Sequence, residues 1–82
     1  MSIAKGVVEV LARALTDRPD QVRVTESQHG RTTLLELYVA DGELGRVIGR
    51  QGRTAAALRT LASTAGEKEG KTVTLEIREG RS

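Results

Sequence analysis

Residues 45 to 53 read GRVIGRQGR, three glycines and three arginines set around Val47 and Ile48. These residue types suit one class of ligand. Arginine presents a planar fork of donors that matches phosphate oxygens, and glycine leaves room for a second backbone to come close. Gly49 and Gly52 stand at G-x-x-G spacing, with Arg50 and Gln51 as the two loop side chains and Arg46 and Arg53 on the flanks. Between Glu43 and Glu67 lie Arg46, Arg50, Arg53 and Arg59 and no acid. A chain of net charge +2 therefore carries +4 in this window and −2 elsewhere. The chemistry implied is electrostatic capture of a phosphate chain.

A bare G-x-x-G is weak evidence, since the glycine content yields about one by chance. This chain has two. Gly42 and Gly45 read as turn and cap residues before a short helix. Gly49 and Gly52 differ because they follow an apolar pair and lie among arginines. Neither G-x-x-x-x-G-K-[ST] nor G-x-G-x-x-G occurs, so neither nucleotide-binding loop is supported. No histidine lies beside a plausible nucleophile and no carboxylate pair sits in an apolar run, which argues against an enzyme. With no cysteine and only His29 as histidine, disulfides, a conventional metal site and thiol chemistry are all disfavoured, and no cofactor is expected.

At 82 residues the chain is expected to form one domain over 1–82, with a core of about 2–79. A domain of this size buries only about 60% of its unfolded surface. It has no Phe or Trp and one Tyr, so the core must be aliphatic and thin, and a partner chain is a natural support. Lys5, Glu9 and Arg13 interrupt the apolar N-terminal run, which argues against a signal peptide or membrane span and for the cytoplasm.

The elements that must hold the loop follow from periodicity. Ile3, Val7, Leu11 and Leu15 recur every four residues with Ala4, Val8 and Ala14 beside them and predict an amphipathic helix over about 2–16. Pro19 ends it. Val22 and Val24, then Leu35, Leu37 and Val39, alternate as two strands of a hairpin interrupted by SQHGR, with His29 as a turn residue. Asp41 is placed to cap a short helix over GELGRVI. RTAAALRTLASTAG restarts helix after the glycines, with Gly66 as its stop. Val73, Leu75 and Ile77 alternate in a last strand. If the second and third strands are neighbours, the helical crossover makes them parallel and right-handed, with three helices on one face of a three-stranded mixed sheet.

This run, GRVIGRQGRTAAALRTL, preceded by a helix, an RPD turn and two strands, resembles the KH RNA-binding domain in its helix-first, type II form. More narrowly it is similar to the KhpA-type family of small bacterial proteins that consist of one KH domain. The resemblance implies an α+β fold, α-β-β-α-α-β. It also implies single-stranded RNA, about four nucleotides of it, lying along a groove with its backbone clamped at the G-x-x-G loop. On that reading Gly49, Arg50, Gln51 and Gly52 form the clamp, Arg46 and Arg53 extend the positive track, and Ile48, with Val47 and Leu58, floors the groove beneath the bases. Relatives often carry Lys or Arg where Gln51 stands, so one phosphate-facing charge is missing. Arg59 reads either as part of the track or as a solvated helix face.

The resemblance also implies self-association or pairing with a KhpB (Jag)-type KH protein. The candidate surfaces are the helix pair around the glycine loop, with Val47, Ile48 and the alanines at 55 to 57, and a sheet face carrying Leu34 and Tyr38. A regulator or RNA chaperone follows from the first reading, and a protein-interaction module in which the same helix pair binds protein is the alternative. Base-stacking on an aromatic sheet is disfavoured, because Tyr38 alone cannot build that platform.

Overall fold

A computed structural model describes residues 2–80. The chain runs α1 (Ile3–Leu15), β1 (Arg23–His29), β2 (Thr32–Val39), α2 (Leu44–Ile48), α3 (Arg53–Glu67) and β3 (Thr72–Glu79), with 3-10 turns at Pro19–Gln21 and Arg50–Gly52. Of the three helices expected, two are long, and the middle one is a five-residue turn and a half. The sheet order is β1-β2-β3, with β1 antiparallel and β3 parallel to β2. The fold is the α+β arrangement expected.

The inward face of β2 is set by alternation, which turns every second side chain to the same side. Leu35, Leu37 and Val39 are fully buried there, and Val24 and Leu75 flank them on the neighbouring strands. The outer face of the sheet is mostly polar. Leu34 and Tyr38 are separated on it by Glu36, which pairs with Arg78 at 3.2 Å, so they form no continuous apolar patch.

In α1 the fully buried members of the apolar arc are Ala4, Val8 and Ala12, while Ile3 and Leu15 are exposed. The small residues of the helix face inward because they let it pack close against both the sheet and α3. β1 continues through Ser27 and Gln28 to His29, because a two-residue turn at Gly30 and Arg31 suffices to reverse the chain. His29 is thus the last residue of a strand. Asp41 does not cap α2; Glu43 holds the N-cap position without a side-chain bond to the helix. Gly66 lies buried inside α3, where a Cβ would collide with the Val73 side chain and approach the Lys71 carbonyl oxygen to 3.1 Å. It permits close contact of helix and strand, and the left-handed residue of the following turn is Gly70, at φ 69.

Candidate nucleic-acid interface

The loop is built from backbone shapes that only certain residues accept. Gly49 takes φ 76, ψ 173, a region essentially confined to glycine. Gln51 (φ 57, ψ 24) and Gly52 (φ 72, ψ 13) are both left-handed. The Gly49 amide donates to the Gly45 carbonyl at 2.9 Å, closing α2, and the Gly52 amide donates to the Gly49 carbonyl at 3.2 Å. The chain thereby turns sharply enough to start α3 at Arg53. No side chain caps that start. The leading amides of a helix carry partial positive charge, and here they lie against the loop.

The predicted site residues separate into two layers. Arg50, Gln51 and Arg53 are exposed and Gly49, Gly52 and Ile48 are half-buried, together forming the accessible surface. Val47 and Leu58, at 0% and 2% exposure, belong to the core and support the loop from beneath. Ile48 is therefore the member of the expected apolar floor with surface to offer a ligand.

Arg46 behaves differently from the other arginines. Its Nη2 lies 2.6 Å from Asp17 Oδ2, and both side chains are more than half exposed. Among the described residues, Arg50, Arg53 and Arg59 form no ion pair with a carboxylate. The acid-free window conceals this partner because Asp17 is distant in sequence and reaches α2 only through the fold. No pattern within the window could have revealed it. Arg59 has a contact of its own, Nε to the Leu75 carbonyl oxygen at 3.3 Å.

Glu43 ties the start of α2 to the end of α1. Its carboxylate accepts from the Thr16 hydroxyl and from the Asp17 amide. The Thr16 bond first, then the amide, with Arg46 and Arg18 adding positive charge, hold the Glu43 carboxyl below the usual glutamate value. A carboxyl lowered in the folded state stabilises the fold above its unfolded pKa, and that contribution disappears as pH falls through the folded value. Glu43→Gln is accordingly expected to melt below the parent at neutral pH. The gap should close as the pH drops below the ordinary glutamate range, and paired thermal melts across that range check it.

A three-stranded mixed sheet covered on one face by helices, with a G-x-x-G loop between the last two helices, is the arrangement of a type II KH domain. A family profile described as "KhpA/KhpB, KH domain" matches residues 5–77. A protein of Aquifex aeolicus named RNA-binding protein KhpA is 52% identical over 79 residues, covering 96% of this chain and all of that one. Proteins of the same name from Halalkalibacterium halodurans and Clostridium acetobutylicum are 47% and 45% identical, each over 89% of this chain and 96% and 97% of their own lengths. Among solved structures, Aquifex aeolicus Era bound to GDP and AlF4− superposes with a TM-score of 0.65 at 17% identity, over 98% of this chain and 31% of that one, a likeness of fold. The chain belongs to the KhpA/KhpB KH-domain family, whose relatives here are named RNA-binding proteins.

Proposed function

We propose that the chain binds single-stranded RNA, with the sugar-phosphate backbone held at the Gly49–Gly52 loop, and that it acts in the cytoplasm as a post-transcriptional regulator or RNA chaperone. The observation that carries this reading is the coincidence of three features at one place. They are a loop whose glycines admit a close-approaching chain, an uncapped helix start, and arginines free of carboxylate partners. Phosphate oxygens accept from helix-start amides and from arginine forks. Ile48 then faces the bases. The names of the relatives point the same way. Among the described residues no helix is long and apolar enough to cross a membrane.

The test is a salt titration of binding to a short single-stranded RNA. Three arginines unencumbered by acids neutralise about three phosphates, and each contributes roughly −0.7 to the slope of log K against log salt, so a slope of about −2 is expected. A flat titration, or equal affinity for duplex RNA, sinks the reading.

A second reading, pairing with another KH chain of its own kind or of the KhpB type, draws support from α3. Ala57 and Leu61, one turn apart, are both exposed there, with Leu61 at 47%. Val47 and Ala55 are buried and can take no part. The sheet face has less to offer, since Glu36 and Arg78 interrupt Leu34 and Tyr38.

A further inference from the structure

Glu43 and Arg46, one turn apart at the start of α2, grip the segment that follows α1. The Glu43 carboxylate accepts from the Asp17 amide at 2.7 Å, and the Asp17 carboxylate in turn holds Arg46 at 2.6 Å. The Thr16 hydroxyl donates to the same Glu43 carboxylate, and the Arg18 amide closes the turn on the Thr16 oxygen at 3.1 Å. Thr16 is buried, so the backbone that presents Asp17 is fixed. An exposed ion pair between two mobile side chains gains little, because ordering both offsets the attraction. Here the backbone of one partner is already held, and the pair forms at less cost.

Arg46 precedes Gly49 by three residues, about 4.5 Å along the helix axis, and Arg50 by four. That separation is shorter than an arginine side chain. Its guanidinium is nevertheless turned to Asp17, at the end of α1. Both side chains are more than half exposed, and among the described residues no other hydrogen bond or ion pair engages that of Arg46. To an arginine fork a carboxylate and a phosphate are alike, each a pair of negatively charged oxygens. Asp17 thus occupies the arginine that a phosphate beside the clamp would otherwise take.

Resting on the RNA-binding reading above, we propose that Asp17 sets the affinity of the chain for RNA by holding Arg46 away from the phosphates. Asp17 stands in for one phosphate and touches no RNA itself, so it is a positioning residue that acts through Arg46. The chain then binds with three arginines where its sequence supplies a fourth. Release of Arg46 adds one neutralised phosphate, which steepens the slope of log K against log salt by about 0.7. The same increment tightens binding by a factor of about 5 at about 0.1 M salt and fades toward about 1 M. Affinity is kept below what the arginines could supply, and a bound strand leaves the more readily.

The test measures binding of a short single-stranded RNA across a salt series for the parent, Asp17→Asn, Asp20→Asn and the double variant Arg50→Asp with Gln51→Asp. Asp20 supplies the comparison, being exposed, three residues from Asp17, and without an ion pair among the described residues. Asp17→Asn is expected to bind about fivefold more tightly at about 0.1 M salt, with a slope steeper by about 0.7 and the advantage gone near about 1 M. Asp20→Asn makes the same change in net charge and releases no arginine, so it should shift the slope by less than about a third of that amount. Equal steepening in both variants overturns the inference, since general charge then explains the gain. An unchanged slope in Asp17→Asn, with binding still lost in the double variant, overturns the inference and leaves the clamp standing. Weaker binding in Asp17→Asn with a lowered melting temperature also overturns it, since that is the behaviour of a strut between α1 and α2. Failure of the parent to bind removes both readings together.

Discussion

Arg50→Asp combined with Gln51→Asp is expected to take RNA binding below detection while the protein melts within a few degrees of the parent. The expectation rests on the different demands the two properties make on the loop. Both side chains are exposed, and neither makes a hydrogen bond or ion pair among the described residues, so their removal takes little from the fold. Gln51 sits at φ 57, where aspartate is tolerated better than most residues, so the second change adds no backbone cost. For RNA the same two changes replace one positive charge with two negative ones where a phosphate must come closest. Like charges at that distance repel, and an acid near a helix start competes with the ligand for the amides. Calorimetric melting and fluorescence titration of the same preparation measure both halves. A well-folded double variant with full RNA affinity turns the assignment toward the docking of another KH chain.

Gly49→Ala is expected to be the most damaging single change in the loop. Two costs arise together. The backbone at φ 76, ψ 173 belongs to a region that side chains exclude, worth about 1 to 3 kcal/mol. The added methyl also meets the Thr54 side chain and comes within 3.0 Å of the Thr54 backbone nitrogen. Thr54 is in the first turn of α3 and cannot retreat without moving the helix start. A loss of about 3 kcal/mol or more is expected in denaturant unfolding, together with RNA affinity, since the helix-start amides move with Thr54. Gly52→Ala provides the contrast, because a Cβ there meets nothing within 4 Å and only the left-handed conformation opposes it. If the two variants unfold at the same denaturant concentration, the contact with Thr54 has no importance.

What the sequence conveyed and what it withheld divide along a physical line. Alternation in TTLLELYV placed Leu35, Leu37 and Val39 inward because a strand facing one covered side leaves two options, and the apolar residues decide between them. The crossover from β2 to β3 followed from helices lying between neighbouring strands. The loop was visible because glycines in that setting and unbalanced arginines are local features. The apolar arc of α1 is wide, and which of its members is fully buried, Val8 and not Val7, is decided by how closely α3 and the sheet approach. Gly66 was misread for the same reason: its use depends on Val73, which approaches only after the chain has turned back. The Asp17 partner of Arg46 and the Leu75 partner of Arg59 were invisible because no local rule links residues that far apart.

The parallel pairing of β2 with β3 also determines the order in which the molecule assembles. β1 and β2 meet across a two-residue turn, a closure that a chain completes within about 1 to 10 μs. Thr32 and Thr72 are 40 positions apart, and in a parallel pair every register partner of β2 and β3 keeps that same offset. Bringing such distant residues together costs chain entropy before any contact repays it, so this pairing is the late event. The glycine loop and Arg59 lie inside the segment that this last step closes. An unfinished chain leaving the ribosome therefore displays the loop sequence before β3 exists to pair with β2, and the loop takes its final place against the sheet only when that strand has docked.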